Sequence, residues 1–217
     1  LDILNFLDQK YFRFEFSINH LYVPIFKKTI INCDLNLNFL DRVNLELNLN
    51  SSYETLSSCY NTHHKRSLKK HETFPSTLEI KKFMLMSNDE IRNLISIYKE
   101  KIGTKTNLNQ KNYETLYSLI HECGIKDLGF FVGLRNASNE LLAGAFFISC
   151  FNKDILLFNF SDKNLNFNSM LILVDGYIKL NAGKNKFLDF EGSNISGVQR
   201  FYQGFGAVEK NYIHITK

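Results

Sequence analysis

The sequence predicts an α+β (mixed α/β) fold: a central, mostly antiparallel sheet flanked by helices. Three observations carry this reading. Strand-like segments follow one another closely at about residues 127–135, 141–151 and 154–161, the pattern of an antiparallel meander. A long apolar helix, Met170–Leu180, separates that meander from a short buried strand, Phe187–Phe190. A helix at Val198–Gln203 and a last strand at Tyr212–Ile215 complete the order.

Residues 1–9 place Ile3, Leu4, Phe6 and Leu7 at helical spacing. Tyr11–Phe16 alternates aromatic and polar residues, which suits a half-buried strand. Residues 17–42 show no sustained period and are expected to form loops with short extended pieces. From Arg42 to Leu49, Val43, Leu45, Leu47 and Leu49 alternate with polar residues and give a strand. Ser51 or Ser52 then caps an expected helix running to about Lys70, with Glu54 in its first turn and lysines in its last. Leu78–Phe83 reads as a strand. Ser87-Asn88-Asp89-Glu90 signals a helix start, with Ile91, Leu94, Ile95 and Tyr98 as its apolar stripe, and Tyr113–Glu122 forms a further helix ending at Gly124. Within the meander, Asn136–Asn139 joins the first two strands and Asn152-Lys153, read as a two-residue hairpin turn, joins the next two.

With 217 residues, 44% of them hydrophobic, the chain can bury an ordinary core as one or two domains. No apolar run reaches the ~18 residues of a transmembrane helix. The first residues, Leu1-Asp2-Ile3-Leu4, lack the basic start and cleavage site of a signal peptide, and they lack a methionine, so a fragment is expected. Cys33, Cys59, Cys123 and Cys150 show no C-x-x-C spacing, which argues for reduced thiols in a cytoplasmic protein and against a zinc site or disulfide framework. Abundant Asn, Lys, Ile and Phe, with two prolines and no tryptophan, is the composition an AT-rich bacterial genome produces. The net charge of +4 does not by itself suggest nucleic acid.

Two segments carry candidate chemistry. The strand at Phe187 ends in Asp189 and Glu191 beside Gly192, which presents two carboxylates as candidate general bases; Glu191 capping the next helix is the alternative. Arg200 is placed to bind a substrate carboxylate or phosphate, or to pair with Glu191. In the basic helix, Lys65 and Lys69, and Arg66 and Lys70, lie one turn apart and form adjacent rows. Such rows suit the diphosphate of a nucleotide-linked or lipid-linked precursor, an anionic small molecule, or a tRNA backbone, against the alternative of a solvated helix face. His63 and His64 are adjacent and point to different faces, so no metal site is expected, and no Ser-His-Asp or Cys-His constellation stands out.

The string DFEGS…RFYQGFGA, Asp189–Ser193 and Arg200–Ala207, resembles the last strand and helix of the GNAT acyltransferase fold, in the branch related to the Fem peptidyltransferases. A second match lies upstream: the strand at Leu45–Leu49, then Ser52-Tyr53-Glu54-Thr55-Leu56, then His63–Lys70 resembles that family's strand, Ser-Tyr-x-x-Leu and basic-helix segment. The resemblance implies a GNAT-like domain over 43–217, preceded by a remnant of an N-terminal GNAT-like half over 1–42. It implies transfer of an acyl or aminoacyl group to an amine without metal, as the Fem proteins add amino acids to a peptidoglycan precursor. It also implies that Tyr202, matching the family's FY tyrosine, serves as general acid or packs in the core. GNAT enzymes that use acetyl-CoA hold its pyrophosphate on a glycine-rich turn before the central helix. The corresponding segment, Ser161–Ser169, contains no glycine and carries Asp162. The Fem-type proteins also lack that turn and draw on aminoacyl-tRNA, so the departure favours the Fem-like branch over a common acetyltransferase, with acyl-CoA or aminoacyl-tRNA as the possible donor. The rival functions are an acyl-CoA- or acyl-carrier-dependent N-acyltransferase and a catalytically silent module binding an anionic partner.

Overall fold

The alternation read at Val43–Leu49 has a direct structural counterpart. Leu45, Leu47 and Leu49 are buried, and they point to the same side of a long strand at the centre of the molecule. The computed structural model describes residues 6–7, 10–11, 13–30, 37–102, 107–162, 164–191 and 195–217. Within them the strands are β1 (Glu15–Ile18), β2 (Asn38–Asn48), β3 (Ser76–Lys82), β4 (Gly129–Asn136), β5 (Leu141–Cys150), β6 (Lys153–Ser161), β7 (Phe187–Asp189) and β8 (Val208–Thr216). The helices are α1 (Val23–Ile30), α2 (Tyr53–Ser58), α3 (Thr62–Lys70), α4 (Asn88–Ile102), α5 (Gln110–Ile125), α6 (Ser169–Asn181) and α7 (Ser196–Gln203). A 3₁₀ turn, Phe83–Leu85, follows β3. No helix among the described residues is long and apolar enough to cross a membrane.

The strands form one sheet in the order β1-β8-β2-β7-β6-β5-β4-β3. Every pairing is antiparallel except β6–β7, which runs parallel and is joined through α6. The mixed α/β architecture expected from the sequence is therefore present. One face carries the main core, where Leu45, Leu47, Val132, Ala145 and Leu188 meet Leu173, Val174, Tyr177 and Ile178 of α6, together with residues of α2, α3 and α7. The other face is covered over β4–β6 by α4 and α5, through Ile91, Leu94, Tyr98, Tyr113 and Ile120 against Phe131, Phe146 and Phe160. A smaller cluster joins Ile213 and Ile215 of β8 to Phe16, Val23 and Phe26.

Four expectations need correction. The single helix expected from Ser52 to Lys70 is two helices. Ser52 caps α2, and the Asn61 side chain then accepts from the His64 amide to start α3, while the Asn61 amide donates to the Gly204 carbonyl oxygen at 2.9 Å. Residues 17–42, expected to be loops with short extended pieces, contain α1: Pro24 stands in its first turn, where the missing N–H costs nothing, and Val23 and Phe26 face β8. The strand expected at Tyr11–Phe16 begins at Glu15. The hairpin turn between β5 and β6 is Phe151-Asn152, because Cys150 pairs with Lys153. Most of the helix expected over residues 1–9 lies outside the described residues, as do Gly192 and Ser193.

The RFYQGFG segment docks on α3 through His64. His64 is 3% exposed, and its Nε2–H donates to the Phe201 carbonyl oxygen at 2.9 Å. Its Nδ1 has no hydrogen-bond partner among the described residues and lies among the rings of Phe201 and Phe205. A Cβ on Gly204 would come within 2.5 Å of the His64 ring and 2.7 Å of Asn61 Nδ2. Gly204 has helical backbone angles, so propensity alone would favour alanine there by about 1 kcal/mol. The clash reverses the sign: Gly204→Ala is expected to destabilise the fold by about 1–3 kcal/mol, read from urea or thermal unfolding.

Burial holds the His64 imidazole below its ordinary value of 6.5. Protonation would place a charge and an unpaired Nδ1–H in an apolar site near a helix N-terminus. The folded pKa is depressed, so this contribution to stability is full above about pH 6.5 and is lost as pH falls through the window beneath it. Unfolding midpoints at several pH values should show an acid limb with a slope approaching about 1.4 kcal/mol per pH unit, and His64→Leu should flatten it.

Candidate functional site

Strand register assembles a polar cleft on the sheet face opposite α6. Glu46 pairs with Asp189 across β2–β7, Asn44 lies two residues before Glu46, and Arg42 opposite Tyr212 continues the row. Ser17 joins from β1, opposite His214. On this side α4 and α5 cover β4–β6 and leave β2, β7 and β8 open. The result is a cleft of about 320 Å³ lined by Ser17, Asn19, His20, Asn44, Asp189, Glu191 and Tyr212.

Beneath it lies a buried charge cluster. Glu46 is 5% and Asp189 6% exposed, and the Lys153 ammonium binds both, pairing with Glu46 Oε1 and lying 3.4 Å from Asp189 Oδ2. Burial pulls the lysine pKa down, but the two carboxylates outweigh it and the net shift is upward, so Lys153 stays charged. His20 Nδ1 lies 4.0 Å from Glu46 Oε1. Glu191 closes the cleft. Its amide donates to Asp189 Oδ1 at 2.9 Å, and its φ of +58° is a conformation that residues with a Cβ seldom adopt, costing about 1–3 kcal/mol. The residue is exposed, yet protein atoms crowd its carboxyl on one side; that desolvation, with the Asp189 charge next, raises its pKa. Two buried carboxylates thus hold one lysine, and Glu191 adds a third carboxylate at the cleft beside Asp189, offering itself as a proton acceptor.

The sequence-derived candidates divide by place. Asp189 and Glu191 come together in the cleft. Tyr202 is 4% exposed, stacks on Phe190 with ring centroids 4.3 Å apart, and accepts a hydrogen bond from Asn159 Nδ2 at 3.0 Å. Burial pushes its pKa up to about 12. It fills the wedge where β6 runs on to Ser161 after the chain has left β7 at Asp189. Arg200 is exposed, and its Nε donates to the Ser196 carbonyl oxygen one turn back, not to Glu191. The basic residues of α3 fan apart: Lys65 Nζ donates to the Ser58 carbonyl oxygen, Arg66 is exposed, and Lys69 borders a recess with Tyr53, Asp175 and Lys179.

Lys70, with His63 and His71, faces the segment before α6 across a groove of about 550 Å³. In that segment Asn168 caps α6 by accepting from the Leu171 amide. Asp162 pairs with Lys101 at 2.8 Å, which holds its carboxyl below the usual range and offsets its charge toward the groove.

His20, Glu46 and Lys153 escaped sequence reasoning. Glu46 occupies a polar step of an alternating strand, which reads as solvent-facing, and Lys153 reads as a turn residue. No local signal marks either one as buried beside the other. Among the described residues, no group of three or more His, Cys, Asp or Glu side chains is arranged to hold a metal ion.

No protein-family model matches the chain, and no curated protein sequence does. Solved structures do. L-PGS from Bacillus licheniformis aligns with a TM-score of 0.63 at 12% identity, over 99% of this chain and 71% of that one. FemX aligns with a TM-score of 0.57 at 10% identity, over 79% of this chain and 61% of that one. A tandem GNAT protein from the clavulanic acid biosynthesis pathway aligns with a TM-score of 0.51 at 8% identity, over 94% of this chain and 63% of that one. These likenesses, all at 12% identity or less, concern the fold alone: the chain has a GNAT-like fold related to that of FemX.

Proposed function

We propose that this protein transfers an aminoacyl or acyl group to an amine acceptor held in the cleft over β2, β7 and β8. The observation that carries the reading is the excess of carboxylate there: Asp189 and Glu191 line the cleft beside Ser17, Asn19 and Asn44, and beneath them the single Lys153 is shared between Asp189 and the buried Glu46. An acceptor amine arrives as an ammonium ion, and this cleft attracts it. The amine gives up a proton, to Glu191 in this reading, and attacks the donor's carbonyl carbon; the bond from that carbon to the carrier breaks, and the carrier leaves as its protonated alcohol or thiol, taking the amine's second proton. The raised pKa of Glu191 brings it nearer to operating pH while Asp189 fixes its backbone. Tyr202 acts in this scheme by holding Phe190 and the exit of β7, which sets where Glu191 stands.

For the donor, the groove bordered by Lys70, His63 and His71 suits phosphate groups, in keeping with an aminoacyl-tRNA or another nucleotide-bearing donor. The capped, glycine-free approach to α6 supports an aminoacyl-tRNA donor over acyl-CoA. The acceptor would be a nucleotide-linked or lipid-linked precursor carrying a free amine.

Thermal unfolding of the purified chain with CoA, acetyl-CoA, a UDP-linked peptidoglycan precursor or charged tRNA tests this. A ligand at a hundred times its Kd should raise Tm by about 5–10 °C. A rise with charged tRNA that disappears in Lys70→Ala supports the reading, whereas a rise with CoA alone replaces it by an acyl-CoA enzyme. Once a donor–acceptor pair is found, Glu191→Gln should lower kcat by about 10²–10⁴-fold with Tm unchanged or raised. In the parent protein the acid limb of kcat/KM should lie above the ordinary glutamate value of 4.5, since the base must be deprotonated and its pKa is raised.

A further inference from the structure

The β5–β6 hairpin ends in a phenylalanine that breaks two local rules at once. Phe151 is fully exposed, and its φ is +53°. It is the first of the two loop residues between Cys150 and Lys153, a position where positive φ ordinarily selects glycine or asparagine. Neither core packing nor turn geometry accounts for an aromatic side chain there, and such outliers gather where function demands them.

Its surroundings are apolar as well. The Ser149 amide donates to the Leu128 carbonyl oxygen at 2.7 Å, which sets the exposed Leu128 beside the hairpin. Ile125, at the end of α5, is 67% exposed, and the preceding Gly124 lies against the Phe83 carbonyl and the Met84 amide. That contact brings the exposed Met84 and Leu85 to the same end of the sheet. Lysines rim the patch. Lys126 follows Ile125, and Lys184 precedes β7, whose Phe187 amide donates to the Asn152 carbonyl oxygen at 2.8 Å, while Lys186 is taken up by the buried Asp154. The nearby Asp127 is paired with Lys82 at 2.7 Å. Among the described residues Lys126 and Lys184 make no ion pair, and the Lys184 ammonium rests on the Asn181 side-chain oxygen. None of the three recesses described above includes Phe151, Met84, Leu85, Ile125 or Leu128.

We propose that this end of the sheet docks on an anionic lipid surface, with Phe151, Met84, Leu85, Ile125 and Leu128 entering the headgroup–acyl boundary and Lys126 and Lys184 meeting lipid phosphates. A protruding apolar tip rimmed by uncompensated ammonium groups matches a bilayer interface, where the tip finds acyl chains and the long lysine stems reach outward to charge. The proposal stands apart from the transferase reading. It concerns where the protein sits, not what its cleft does.

The test is co-sedimentation of the full chain with vesicles of phosphatidylcholine alone and of equal parts phosphatidylcholine and phosphatidylglycerol. Binding to the mixed vesicles, weakened by salt, is expected. Phe151→Gly should weaken it by about 10-fold or more, and Lys126→Ala by about 5-fold. Phe151→Gly relieves the positive φ, so its Tm should not fall, and a loss of binding cannot be laid to misfolding. Leu85→Ser provides a second variant at an exposed site. The proposal is overturned if the parent chain ignores mixed vesicles, or if Phe151→Gly and Leu85→Ser bind as it does. Concentration-dependent self-association that is abolished by Phe151→Gly, without vesicle binding, would likewise overturn it and assign the patch to a second copy of the chain.

Discussion

Three residues, Phe187–Asp189, hold the two parts of the eight-stranded sheet together. β7 is the one strand among the described residues that hydrogen-bonds to both β1-β8-β2 and β6-β5-β4-β3, and it pairs with each neighbour over just those three positions. Backbone bonds over so short a strand are few, and ion pairs on both faces reinforce them. On the cleft face Lys153 spans Glu46 and Asp189. On the core face the fully buried Asp154 accepts from Lys186 at 2.6 Å, Tyr177 at 2.5 Å and Ser149 at 2.7 Å. Lys153 and Asp154 are consecutive, so strand alternation alone sends them to opposite sides. A buried carboxylate with three donors is satisfied; removal of one charged partner typically costs about 3–5 kcal/mol.

That constraint shapes the cleft. A strand that must stop after Asp189 releases the chain toward α7, and the wedge it leaves beside β6 is filled by Phe190, Tyr202 and Asn159. Glu191 then turns back through a left-handed conformation with its amide on Asp189. Asp189 in the cleft and Glu46 beneath it therefore belong to the same ionic arrangement that fastens the sheet. Stability and the proposed chemistry draw on one set of side chains, so changes at Glu46, Asp189 or Lys153 will affect both, while Glu191 stands outside the buried pairing and can be altered with less structural consequence.

Much of this was legible in the residues. The meander, α6, β7 and the closing helix and strand follow from hydrophobic period and turn chemistry, and the carboxylates at Asp189 and Glu191 stand out as charges ending an apolar strand. What escaped reading was long-range. Asn61 looks like one more polar residue within a helix, and only its place opposite Gly204 makes it a boundary. Glu46 looks solvated until β7 is laid beside it. The basic row of α3 reads as one surface, yet Lys65, Lys69 and Lys70 turn to a backbone carbonyl, to a recess and to a groove respectively. Periodicity reports which residues share a face, and it is silent about what lies across from that face.

The strand order also governs how the chain is made. β2 leaves the ribosome well before both of its neighbours, since β7 and β8 lie more than a hundred residues further along the sequence. At ribosomal speed, Leu45, Leu47 and Leu49 wait on the order of ten seconds for their partners. During that interval β2 is an apolar strand with two unpaired edges, whereas β3–β6 can close as a local meander on α4 and α5. A nascent chain of this topology is open to mispairing at β2 until β7 and β8 have both cleared the exit tunnel.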